Sequence, residues 1–101
     1  MTHSDERRTL TSIPYKTGEI KIIVAKEDCE LGNHYHKIKT EIFILLEGDG
    51  LGMVNGHKFI LTKNTEFKVN TLERHTFFLK KDSILFCVCS EPYNKDDDYE
   101  H

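Results

Sequence analysis

Three side chains able to bind a metal, His34, His36 and Glu41, fall within eight residues in the stretch Gly32 to Gly48, GNHYHKIKTEIFILLEG. A single later histidine, His75, opens the segment HTFFL. On a strand, side chains alternate faces, so His34 and His36 point one way and Tyr35 the other. Two imidazoles side by side can hold one divalent ion, and a nearby carboxylate offsets its charge. Glu41 opens the apolar run EIFILLE. Read as a strand, that run places Glu41 with Phe43 and Leu45 on one face. A carboxylate among apolar side chains costs several kcal/mol unless it is paired or metal-bound. Two histidines and a glutamate at this spacing also fit a solvated polar loop, so the strand assignment decides between the two readings.

The elements that must position these groups are short. Residues 1–12 form a polar N-terminal arm, expected to be frayed or draped over the surface. Ile13-Pro14-Tyr15 is an extended piece, since proline steers its predecessor to extended geometry, and Lys16-Thr17-Gly18 is a turn. Residues 19–25, EIKIIVA, are rich in β-branched side chains and read as a strand. Residues 41–47 are expected to be a strand buried on both faces. Gly48-Asp49-Gly50 is a turn, and Asn55-Gly56 is a hairpin signal between strands at 51–54 and 57–61. Further strands are expected at 65–69, 75–79 and 83–90, and residues 92–101 form an acidic tail with an irregular end. About eight short strands with tight turns and no convincing helix mean an all-β sandwich or small barrel.

The chain of 101 residues is long enough for one domain with one core. A net charge of −3, with no basic block, argues against nucleic acid as a partner. No apolar run approaches the roughly eighteen residues of a membrane span, and the start, MTHSDERRTL, lacks the apolar centre of a signal peptide. A cytoplasmic protein is the expectation. Cys29, Cys87 and Cys89 are an odd number. Neighbours two apart on a strand rarely reach disulfide geometry, so they read as reduced thiols, either small hydrophobes of the core or, for one of them, a pocket wall. His57, beside the hairpin turn, reads as a solvated surface residue.

The spacing His34-x-His36, four residues, Glu41, six residues, Gly48, followed by a hairpin and His75, resembles the conserved motifs of the cupin superfamily. The resemblance runs over roughly residues 20 to 90. It implies a double-stranded β-helix, the jelly-roll cupin barrel, as the fold. It also implies that His34, His36, Glu41 and His75 hold a divalent metal inside that barrel. The residues do not distinguish zinc, manganese, iron and nickel. The sequence departs from the motifs at several turns. Asp28 stands where the family's first glycine is usual, Asn70 and Leu72 stand where a proline and a glycine precede the histidine, and Leu79 stands where an asparagine follows it.

GNHYHK-x-KTE-x-F, with the acidic, tyrosine-containing end SEPYNKDDDYEH, is similar to small cupins that act on nucleotide sugars as isomerases or as domains of epimerase-reductases. That similarity implies proton transfer beside a sugar carbonyl, with metal-bound histidines unable to serve as free bases. An iron-dependent cupin dioxygenase and a non-catalytic small-molecule-binding cupin are the alternatives. Lys37, Lys39 and Arg74 are candidates for holding an anionic substrate, or are ordinary solvated charges. Phe43, Leu45, Phe77 and Leu79 serve as barrel core or pocket wall. A homodimer is expected from the family and from the exposed strand edges of a small barrel.

Overall fold

The computed structural model describes residues 1–100 of the chain. Ten strands run in order: β1 (Thr2–Ser4), β2 (Arg8–Tyr15), β3 (Gly18–Ala25), β4 (Cys29–His34), β5 (Glu41–Glu47), β6 (Gly50–Val54), β7 (His57–Leu61), β8 (Glu66–Val69), β9 (His75–Leu79) and β10 (Ile84–Cys89). A single 3-10 turn, Lys95–Asp97, is the only helical element among the described residues, so none is long and apolar enough to cross a membrane.

The strands form two antiparallel sheets, ordered β1-β2-β3-β10-β5-β8 and β4-β9-β6-β7. From β3 onward the chain passes back and forth between them, which is the jelly-roll path. No ladder joins the two sheets among the described residues, so the expected barrel is two sheets packed face to face. Their shared interior holds Leu45, Leu61, Leu79 and Leu85, all fully buried. Phe43, Phe67 and Phe77 pack as an aromatic cluster with ring centroids 4.7 to 5.4 Å apart. Each large side chain buried this way contributes about 1.5–3 kcal/mol.

Strand boundaries follow the sequence reading closely, because β-branched runs alternate with turn residues. Asn55 and Gly56 both take positive φ, 51° and 85°, which matches the right-handed twist of β6 and β7. His57 is exposed, as expected. Two readings are corrected. In β5, Glu41, Phe43 and Leu45 are buried, but Ile42 and Leu46 on the other face are exposed and Ile44 is half-buried. That sheet therefore packs on one face, and the apolar outer face gives no sign of this in sequence.

Nor is the N-terminal arm frayed. β1 and β2 form a hairpin at the sheet edge, with Thr2 opposite Thr11 and Ser4 opposite Thr9. The turn is tied by the Asp5 carboxylate, which accepts from the amides of Arg7 at 2.8 Å and Arg8 at 3.0 Å. Those amide bonds, Arg8's first, hold its pKa down to about 2. Alternating Thr and Ser with local capping gives a polar edge hairpin, which resembles a loop in composition.

Candidate metal centre

β4 is an edge strand of the smaller sheet, and its Leu31, Gly32 and His34 line one cavity with Leu10 of β2 and Ile23 of β3. Its pairing with β9 shifts register between Gly32 and His34, so that His34 lies directly opposite His75. Asn33 is the extra residue, at φ 67°, and Gly32 precedes it at φ 90°. A side chain at Gly32 would press its Cβ to 2.9 Å from the His75 carbonyl oxygen. The bulge therefore needs glycine there, and it aims His34 at His75. Gly48, at φ 97°, lies so close to Ser83 that any Cβ would overlap it.

The structure brings His34, His36 and His75 together, with ligand atoms all within 4.8 Å of one another. Glu41, at the start of β5 and 4% exposed, faces them. Its Oε1 lies 3.2 Å from His36 Nε2 and 3.4 Å from His75 Nε2. Neither His36 Nε2 nor Glu41 Oε1 makes a hydrogen bond in the protein. His36 Nδ1 lies 2.7 Å from the Asp97 carbonyl oxygen. A carbonyl can only accept, so Nδ1 carries a proton and Nε2 is the nitrogen turned toward the anionic oxygen. Metal–ligand bonds of about 2.0–2.2 Å put neighbouring ligands roughly 3 to 3.5 Å apart, which is the spacing seen.

The protonation states agree. Burial first, and His75 next, push His34 down to about 4, and burial also lowers His75. Burial alone would raise Glu41, but His36 against it and the charges of Lys39, Lys21 and His75 hold it below the usual carboxylate range. Neutral imidazoles and an ionised carboxylate are the forms a divalent metal binds.

Two contributors were invisible in the sequence. The first is the cysteine pair. Glu41 lies opposite Cys89 across the β5–β10 ladder and Phe43 opposite Cys87. The thiols of Cys87 and Cys89 donate to Glu41 Oε2 at 3.5 and 3.4 Å. Burial pushes the Cys87 thiol far up, so it stays a donor. These residues are more than small hydrophobes, since they fix one carboxylate oxygen and leave the other facing the histidines.

The second is the acidic tail, which is ordered rather than irregular. The Asp97 carboxylate, 4% exposed, accepts from the amides of Lys37 at 2.8 Å, Ile38 at 3.1 Å and Lys39 at 3.3 Å. Tyr99 pairs by its backbone with Tyr35, at 2.9 and 3.0 Å, and their rings stack. Asp98 Oδ1 lies 3.0 Å from His34 Nδ1. The run of Asp residues reads in sequence as a solvated end, and only the fold shows that the bare amides after His36 need an acceptor.

The three basic candidates are placed differently from one another. Lys37 lies over the Tyr99 ring at 4.4 Å. Arg74 donates to the carbonyls of Asn33 at 2.9 Å and Glu100 at 2.6 Å, so its fork is spent on the tail. Lys39 is 4% exposed and is not a solvated charge. A cavity of about 540 Å³ opens beside the cluster, with His34, Glu41, His75, Phe43 and Phe77 on its lining. Leu45 and Leu79 are core.

No protein-family model matches the sequence, and no curated protein sequence matches it. Solved structures do match by shape. The capsular polysaccharide assembling protein CapF from Staphylococcus aureus superposes with a TM-score of 0.86 at 18% identity, covering 98% of this chain and 31% of CapF. The chain thus spans about a third of that protein. KdgF from Halomonas sp. gives 0.81 at 14% identity, covering 95% of this chain and 89% of KdgF. An RmlC-like cupin from Shewanella frigidimarina gives 0.78 at 16% identity, covering 95% and 86%. The chain has the cupin fold.

Proposed function

We propose that this cupin-fold chain holds a divalent metal through His34, His36, Glu41 and His75 and uses it to move a proton on a sugar-type small molecule, as an isomerase or epimerase. The observation that carries the reading is the pair of imidazole nitrogens 3.2 and 3.4 Å from one buried carboxylate oxygen, beside an open cavity. A metal bound there would supply Lewis-acid polarisation of a substrate oxygen.

The chain's own residues do the rest. The thiols of Cys87 and Cys89 hold Glu41 in place from behind. The Asp97 carbonyl fixes the proton of His36 on Nδ1. Phe43 and Phe77 give the cavity a dry wall on which a sugar ring can lie. Histidines that hold an ion cannot also act as free bases, so the proton must move on another group. Glu19 and Asp98 are the carboxylates of the cavity lining outside the ligand set. The saccharide reading is supported by the name of CapF, a polysaccharide assembling protein.

Elemental analysis of protein purified without chelator tests the centre, run beside His34→Ala and His75→Ala. Near-stoichiometric metal that is lost in both variants is expected. No metal, and none taken up on titration, overturns the reading. Zinc or manganese with solvent deuterium entering a keto-sugar nucleotide identifies the isomerase. Iron with oxygen consumption would replace it by a dioxygenase.

A further inference from the structure

Five buried side-chain polar atoms find no hydrogen-bond partner in the protein among the described residues: Arg8 Nε, Glu19 Oε1, His36 Nε2, Glu41 Oε1 and Asp98 Oδ1. Their number is ordinary for a folded chain, but their location is not. Arg8, Glu19, Glu41 and Asp98 all line the one cavity, and His36 touches Glu41. Three of the five belong to the histidine cluster. Arg8 and Glu19 do not; Glu19 Oε1 has the Lys21 ammonium 3.7 Å away, which leaves Arg8 as the group that calls for a ligand of its own.

The sheet register sets the length of that ligand. Glu41 stands opposite Cys89, and Cys89 opposite Glu19, so Glu19 lies in the same row as the metal centre. Arg8 pairs with Ala25 at the far end of β3. The six-residue step from Glu19 to Ala25 is roughly 20 Å of strand, shortened by the reach of the arginine. Between them the wall offers Leu10 and Ile23, facing Leu31 and Phe77. Arg7 next door is engaged, with Asp5 at 3.2 Å and the Glu30 carbonyl at 3.3 Å. Among the described residues the Arg8 guanidinium has no ion-pair partner, while the Arg8 backbone is tied to Asp5 through both its amide and its carbonyl.

We propose that the cavity takes an elongated organic anion, with its hydroxylated end at Glu19 and the histidine cluster and its phosphate or carboxylate held by the free fork of Arg8. Arg8 is half-buried with its Nε buried and unpaired, and a guanidinium is matched by a carboxylate or phosphate, which fits its planar donors two at a time. Glu19 Oε1, charge-paired with Lys21 at 3.7 Å but without a hydrogen bond, accepts from a hydroxyl. This names the substrate class of the proposed metal site, and it rests on that site's cavity being the place of reaction.

The test is calorimetric titration of the full chain, with and without metal removal by EDTA, against three probes of similar length: UDP-glucose, digalacturonate and neutral maltose. At least one anion is expected to bind ten times or more tighter than maltose. Arg8→Gln should weaken that anion at least tenfold while leaving metal content unchanged, and Arg8→Lys should fall between. Binding of the diphosphate alone or the carboxylates alone supports the proposal and identifies the anion. Arg8→Gln with wild-type affinity, maltose as tight as both anions, or no binding by any probe overturns it. Anion binding that depends on Arg8 in a protein that takes no metal keeps this inference and removes the metal reading. Stoichiometric metal without anion binding does the reverse.

Discussion

The carbonyl oxygen of Asp97 lies 2.7 Å from Nδ1 of His36, so a backbone group of the tail sets which nitrogen of that ring carries its proton. The same residue's carboxylate caps the three amides that follow the ring in sequence. Partners of this kind usually change metal affinity 10- to 100-fold when removed.

Replacing Asp97 by Ala should therefore do two things. It should weaken zinc or manganese binding by about tenfold, because the backbone carbonyl on His36 loses the carboxylate cap that positions it, and it should lower stability by about 2–3 kcal/mol, because three amides, that of buried Lys39 among them, lose their acceptor. Metal titration and urea unfolding measure the two separately. Unchanged affinity with lowered stability would make the tail a brace only.

The thiols should differ in reactivity. Cys29 is half-buried, while Cys87 and Cys89 are buried against Glu41. A disulfide reagent at neutral pH is expected to label Cys29 alone, and the other two only after denaturation. Fast labelling of all three in the folded protein would contradict the packing around Glu41.

Acid should destabilise the metal-free protein earlier than ordinary carboxylate titration would. His34 is held down to about 4 and His75 is lowered, both chiefly by burial. Unfolded imidazole takes a proton near 6.5, roughly. Below that pH the unfolded chain binds protons that the native chain refuses. Stability is then full above about 6.5 and falls as pH drops toward 4, by a few kcal/mol at most. Glu41, held below its usual range, adds a loss of the same sign at lower pH. Urea midpoints in EDTA from pH 8 to 4 check this, and His34→Gln should flatten the upper part of the slope. A midpoint constant from pH 7.5 to 4.5 would sink the assignment.

Leu72 stands at φ 68° and is 64% exposed, the only apolar residue with positive φ among the described residues. A left-handed conformation costs a non-glycine residue about 1–2 kcal/mol. Part of that is offset by the flexibility glycine adds to the unfolded chain. Leu72→Gly should stabilise the protein by roughly 0.5–1 kcal/mol. A destabilised variant would mean that the side chain makes a contact worth more than the strain.

The same residue shows what the sequence could convey. Leu72 stands where the family motif has a glycine, in the turn that leads to His75. The structure keeps the turn, with the Leu72 amide donating to the His36 carbonyl at 2.6 Å, and it accepts the strain. Alternation placed Glu41 inside, and spacing grouped His34 with His36, because both signals are local. Cys87 and Cys89 came to Glu41 through a pairing between distant strands, which no local pattern encodes. Lys39 appeared solvated because its neighbours are polar, yet the Asp97 cap draws its backbone inward. The polar arm hid a hairpin for the same reason that it hid Arg8: an edge strand and a loop have one composition.

The order in which the chain is made gives the tail's position a kinetic meaning. Val24 pairs with Ile84, and the amide of Lys37 waits for Asp97. A nascent chain that has exposed His34 and His36 can offer an ion only two flexible imidazoles. Residues 94–98 must dock before the His36 ring has the acceptor for its Nδ1 proton. Long-range pairings of this kind also make folding slow, on a scale of roughly milliseconds to seconds. During that interval the His36 ring lacks the carbonyl that holds its Nδ1 proton, so the docking of residues 94–98 is the step that finishes this corner of the interior.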